Sequence, residues 1–243
     1  MNYLKKHPFG VQAFFESSLV LTFAAPKAAL QGFLPPCLEL DTFQEEWAFI
    51  AIALVQTKGL RPKGFPAFLG TDFFLIGYRI FVKYQDSKGK RLRGLYILQS
   101  QTNKKKMEWL GNLFTHYKYS TIDIQQSQQG TLQTIHSQKA PFHIAYEEQP
   151  SAALPMGSPF ENWKQARRFA GPLPHTFTYN ASNDSVLIIR GLRQNWTPSP
   201  VHIQEYFFGF LDQLALPNLG LANAFIIKNI PYEWEKGTID LWK

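Results

Sequence analysis

Asp72–Ser120 reads DFFLIGYRIFVKYQDSKGKRLRGLYILQSQTNKKKMEWLGNLFTHYKYS. From Asp72 to Tyr84 the even positions are Phe74, Ile76, Tyr78, Ile80, Val82 and Tyr84, all apolar or aromatic. The odd positions are Phe73, Leu75, Gly77, Arg79, Phe81 and Lys83. Successive side chains on a strand point to opposite faces, so this pattern predicts a strand covered on both sides for most of its length. Asp86-Ser87-Lys88-Gly89-Lys90 supplies the turn, with Gly89 free to take positive φ. Arg91–Ser100 returns as a second strand carrying Leu92, Leu95, Tyr96, Ile97 and Leu98. Met107, Leu110 and Phe114 then fall at helical spacing, with Asn103 as the expected N-cap. The same unit holds the chain's one cluster of like charge, Lys104-Lys105-Lys106.

Before this unit, Phe14–Ala25 alternates as a strand and Pro26 is expected at the first position of a short helix that Pro35-Pro36 end. Leu38–Phe43 and Glu46–Gln56 read as strands joined by a tight turn at Gln44-Glu45. Lys58–Gly70, with three glycines and two prolines, reads as a loop. After the unit, His116–Gln125 and Thr131–Ser137 flank the polar stretch QQSQQG as a hairpin, and Phe142–Glu147 is a further strand. Gln149–Ser158 reads as a long surface connection, and Pro159–Ala170 as a helix with Ser158 as N-cap. Strands follow at Thr176–Asn180, Ser185–Arg190 and Ala222–Ile230, while Val201–Leu214 fits strand or helix. The expected fold is α+β: a single domain over residues 1–243, with a mainly antiparallel, strongly curved sheet and a few short helices.

The chain has 243 residues, 45% of them hydrophobic, with 21 Phe, which is ample for a sizeable core and argues against disorder. Its net charge of +7 is scattered in sequence, without zinc-finger spacing or an RNA-binding signature, so no nucleic-acid partner is expected. Cys37 is alone, which excludes an internal disulfide and fits a reducing compartment. No stretch reaches the ~18 apolar residues of a spanning helix, and MNYLKKHPFG lacks the apolar core of a signal peptide. The expectation is a cytoplasmic protein that does not engage the membrane. His7, His116, His136, His143, His175 and His202 form no HxH or HxxxH, so no metal site is expected. There is no GxSxG, P-loop or GxGxxG, and no cofactor is expected.

Lys104, Lys105 and Lys106 would occupy a helix start, where the dipole and mutual repulsion both favour a neutral amine. A neutral lysine is a Schiff-base nucleophile, while the plain alternative is a solvated helix start. Arg79 lies between Gly77 and Phe81 on a largely apolar strand, so its guanidinium needs either a buried carboxylate or a ligand carboxylate. Tyr78 and Tyr96 could turn hydroxyls into a pocket, although such tyrosines commonly only pack. His116, expected in the last turn of the helix, is placed to favour its dipole.

LPPCLELDTF, an apolar strand, LRPKGFP, DFFLIGYRIFV, a hairpin and a short helix, in that order from His7 to Trp234, resemble the DUF2071 family of uncharacterised proteins. That family is similar to acetoacetate decarboxylase. The resemblance implies a β-barrel or cone enclosing a pocket, often in a homo-oligomer, without implying the decarboxylase reaction. The decarboxylase carries two adjacent lysines after a strand, and one of them forms the imine. By that resemblance Lys105, then Lys104 and Lys106, are the candidate catalytic residues. The decarboxylase's proline before the pair is Asn103 here, and its glutamate on the preceding strand is replaced near Leu75 or Ile76. The leading expectation is a small-molecule pocket with Arg79, Tyr78, Tyr96 and His116 as binding candidates and, if the protein is catalytic, lysine Schiff-base chemistry on a ketone or aldehyde. A non-catalytic binder and a basic module for anionic partners are the alternatives.

Overall fold

The structure is a computed structural model in which residues 3–194 and 196–242 are described. In chain order the elements are β1 (Val11–Pro26), α1 (Lys27–Gln31), β2 (Glu39–Leu40), β3 (Trp47–Pro62), β4 (Thr71–Gln85), β5 (Arg91–Thr102), α2 (Lys105–Phe114), β6 (Tyr119–Thr121) and β7 (Gln125–Gln129). They continue as β8 (Leu132–Ser137), β9 (Phe142–Glu148), α3 (Trp163–Ala170), β10 (His175–Asn180), β11 (Ser185–Arg193), β12 (Ser199–Phe208), α4 (Gly209–Gln213), β13 (Gly220–Trp234) and β14 (Thr238–Leu241).

β4 and β5 pair antiparallel through the expected turn, where Asp86 Oδ1 accepts from the amides of Lys88 and Lys90 and Gly89 has φ 79°. A bulge interrupts the pairing. Tyr78 faces Gln99 and Arg79 faces Ile97, leaving Leu98 as the extra residue. The strands form one large sheet in the order β14-β11-β10-β5-β4-β3-β1-β13-β12-β9-β8-β7, and β11 also pairs with β13. The sheet is mixed, because β10 and β6 both join β5 in parallel. β12 touches β13 only at Ser199 and Pro200, then runs along β9 from Val201 to Phe208. That shift lays β9 and β12 over the even face of β4, where Phe74, Ile76 and Tyr78 pack with Ile144, Tyr146 and Phe208. The odd face looks the other way. β4 is therefore covered on both sides, as its sequence predicts.

Several local expectations are corrected. Pro26 ends β1 and caps α1, whose first residue is Lys27. Of the expected Leu38–Phe43 strand, Glu39–Leu40 pairs as a strand and Phe43 makes an isolated bridge to Trp47, while Gln44 and Glu45 do make the turn, both at positive φ. β3 runs on to Pro62, through the first five residues of the expected loop, and its pairing slips between Thr57 and Leu60 with Gly59 at φ 59°. The stretch 125–129 is itself a strand and not a turn, since ladder hydrogen bonds belong to the backbone and an edge strand tolerates polar side chains. Of His116–Gln125, only Tyr119–Thr121 and Gln125 are in strands. Asn103 and Ser158 do not cap helices, because each has a tertiary partner. Asn103 Oδ1 accepts from the Phe74 amide (2.9 Å), and Ser158 Oγ donates to the Ala222 carbonyl (2.7 Å). Asn162 caps α3 by accepting from the Gln165 amide. Val201–Leu214 is both things in turn, a strand to Phe208 and then a helical turn.

Candidate functional site

The odd face of β4 opens on an interior cavity of about 120 Å³. Leu75, Arg79 and Phe81 of β4 line it, with Leu95, Ile97 and Ser100 of β5. The wall is otherwise mostly apolar, and Tyr117, Tyr119 and Tyr232 bring aromatic rings to it.

The Arg79 side chain lies deep in the protein, keeps part of its surface accessible, and lines the cavity. Its Nε has no hydrogen-bond partner, and no carboxylate pairs with it among the described residues. Burial lowers the pKa of the guanidinium, the three tyrosines raise it, and neighbouring Arg193 lowers it again. An arginine nevertheless stays protonated in a protein. Elsewhere the fold pairs its buried charge: Asp41 accepts from Arg93 Nε (2.5 Å) and meets Lys83 Nζ (3.0 Å). Arg193 is itself engaged, donating to the Leu173 carbonyl (2.8 Å) and lying over the Tyr232 ring. The Tyr117 hydroxyl bonds Thr176 Oγ1 (2.7 Å), and burial pushes the Tyr119 hydroxyl up to about 12.

Two glycines make the room. A Cβ on Gly77 would sit 2.7 Å from Arg79 Nε and 2.8 Å from Nη2, so the guanidinium is folded back over Gly77. A Cβ on Gly191 would collide with the Tyr232 hydroxyl. Tyr232 stacks on Phe15 with ring centroids 4.5 Å apart, and both line the cavity.

Residues 13–230 match the family DUF2071, described as an uncharacterized conserved protein. The chain belongs to DUF2071. No curated protein matches its sequence significantly. Among solved structures, an acetoacetate decarboxylase-like enzyme from Sphingomonas wittichii RW1 is similar at 12% identity and TM-score 0.59, covering 97% of this chain and 94% of that one. Acetoacetate decarboxylase from Legionella pneumophila subsp. pneumophila str. Philadelphia 1 is similar at 10% identity and TM-score 0.61, covering 96% and 88%. The enduracididine biosynthesis enzyme MppR, complexed with pyruvate, is similar at 10% identity and TM-score 0.56, covering 96% and 90%. At these identities the likeness shows the fold alone.

In this DUF2071 chain the sequence candidates separate. Arg79 faces the cavity. Lys104 is the N-cap of α2, Lys105 and Lys106 fill its first turn, and all three are exposed and absent from the cavity wall. Tyr78 points from the even face into the core, where its ring meets Phe210 at 4.5 Å and its hydroxyl donates to Gln101 Oε1. Tyr96 and His116 line a different depression, together with Lys5, Asn112 and Lys118. His116 lies beyond α2 and not in its last turn, and burial lowers its pKa. The sequence reading missed Tyr117, Tyr119, Tyr232 and Arg193. Tyr117 and Tyr119 share a parity that could have signalled a common face. No group of three or more His, Cys, Asp or Glu is placed to hold a metal among the described residues, and no helix there is long and apolar enough to cross a membrane.

Proposed function

We propose that this protein binds a small organic acid in its interior cavity, with the ligand carboxylate against the Arg79 guanidinium. The observation that carries this reading is a buried cation that faces a cavity and has no protein carboxylate beside it. An arginine on an apolar strand requires a counter-group, and the protein offers none there. The size fits: a cavity of ~150 Å³ takes a benzene-sized guest, and this one is about 120 Å³. The pyruvate held by MppR is a ligand of this class. The cone or barrel implied by the family is the natural enclosure for such a pocket, and the β11–β13 pairing supports it. Schiff-base chemistry on a ketone or aldehyde is the catalytic extension of this reading. It requires Lys104, Lys105 or Lys106 to reach the ligand, and their exposed positions favour binding alone.

Calorimetry with acetate, pyruvate and their uncharged analogues acetamide and acetone tests the proposal. The acids should bind and the uncharged analogues should bind at least about tenfold more weakly, since a charge-assisted hydrogen bond contributes ~1.5–3 kcal/mol. Arg79→Met should remove the preference. Equal binding of acids and neutral analogues would overturn it, and high-salt loss from scattered sites would favour a basic interaction module instead.

A further inference from the structure

We propose that the acid taken by the Arg79 cavity carries an apolar tail, and that the tail occupies a second chamber beneath α2. This rests on the reading of Arg79 as a carboxylate anchor. The second chamber measures about 170 Å³. It shares Leu75, Tyr117, Tyr119 and Trp234 with the Arg79 cavity, so the two spaces meet at a common wall. Together they approach the ~300 Å³ at which pockets for whole small-molecule ligands begin.

β4 runs through both. Phe73 and Leu75 line the second chamber, and Leu75, Arg79 and Phe81 line the first. Gly77 lies between them and contributes no side chain. Because the guanidinium folds back over Gly77, it is aimed along the strand toward Leu75 and not toward Phe81. Two residues of strand span ~7 Å. A carboxylate on this guanidinium is thus one short step from the shared wall, and a tail leaving it passes over Leu75 into the second chamber.

The far side of that chamber is apolar. Met107, Leu110 and Phe114 of α2 face it, and Phe9 closes against Phe114 with ring centroids 5.2 Å apart. The polar groups in its wall are largely satisfied internally. Arg61 donates to the carbonyls of Gly59 and Phe65, and Thr115 Oγ1 donates to the Gly111 carbonyl. His7 is buried, which lowers its pKa and keeps it neutral at pH 7, and its Nδ1 has no partner. Gly111 sits within α2, where glycine is unfavourable for the helix, and its missing Cβ admits the Tyr119 ring between helix and chambers. A cation at one end and an apolar lining at the other describe an amphiphilic acid.

The test is calorimetry with straight-chain carboxylates from acetate to decanoate, kept below their micellar concentrations. Affinity should rise about fourfold for each methylene that enters the chamber and level off once it is full. Leu110→Trp should cut the octanoate-to-acetate affinity ratio at least tenfold. Leu110→Ala, which enlarges the chamber, should move the plateau to longer chains and keeps the test open if the tryptophan variant does not fold. Short acids that bind through Arg79 with no gain from length would overturn the tail chamber and leave the carboxylate anchor standing. Long acids that bind equally well to Arg79→Met would overturn the link between the two chambers. Failure of every acid to bind would overturn both readings.

Discussion

Arg79 sits on a strand face whose nearest same-face neighbours are Gly77 and Phe81, and it is the one buried guanidinium with an unpartnered Nε among the described residues. Holding an ion away from water costs several kcal/mol when nothing offsets it. The ligand-free protein should therefore be stabilised by Arg79→Met. A gain on the order of 1–4 kcal/mol is expected by analogy with buried ion pairs replaced by apolar residues, at ~2–4 °C of melting midpoint per kcal/mol for a chain of this size. A lower midpoint would show that the guanidinium is structurally paired after all. Gly77→Ala separates site from scaffold. Its Cβ would meet only the far end of a flexible side chain, so the guanidinium swings aside at little cost in stability while acid binding weakens about tenfold, the scale of one charge-assisted hydrogen bond. Gly94→Ala, whose Cβ would meet the His175 carbonyl at 2.5 Å, should instead destabilise the fold. Arg79's need for a counter-charge was legible from the sequence, because residue type and strand parity suffice for it. The absence of a protein carboxylate was not, because that depends on every strand brought around it.

At the scale of elements, hydrophobic period located the strands better than side-chain chemistry located the helix caps. Asn103 and Ser158 have the right chemistry for caps, yet each is claimed by a distant backbone group, and the pairing of strands decides which. The helix start and the family resemblance make the lysine cluster a candidate for reactivity, with a solvated helix start as the plain alternative. The turn of chain that places it faces outward, and local sequence carries no signal of that orientation. The N-terminal segment, β10 and the stretch after α2 each contribute a histidine, His7, His175 and His116, whose pKa burial lowers. Unfolded histidines protonate near pH ~6.5, while these three resist until lower pH. In that interval the unfolded chain binds more protons, so stability falls as pH drops below about 6.5. Melting midpoints measured from pH 7.5 to pH 5.5 should decline, and His7→Asn should flatten part of the slope. Asparagine suits the positive φ of 52° there. An unchanged slope in that variant would mean that His7 does not contribute.

For the whole molecule, a mostly β fold with a few short helices was legible from the strand pattern, and the family from the resemblance carried by LPPCLELDTF, LRPKGFP and DFFLIGYRIFV. The mixed character of the sheet was not. β10 and β6 reach β5 only after long intervening segments, and parallel partners cannot be read from local pattern. Apolar surface also remains outside. Phe68 is 83% exposed and Trp109 65%, with Phe65 and Leu69 exposed nearby in sequence to Phe68. We expect this surface to be covered by a second copy, so sedimentation should show at least a dimer, and a strict monomer at high concentration would count against it. Arg79 should capture a carboxylate non-covalently. The most direct test is a crystal structure of the protein with pyruvate, paired with borohydride reduction and mass mapping of the same mixture. The pyruvate carboxylate should lie against the Arg79 guanidinium, with no lysine adduct. A ligand elsewhere, or a selective reduced adduct on Lys104, Lys105 or Lys106, would contradict it.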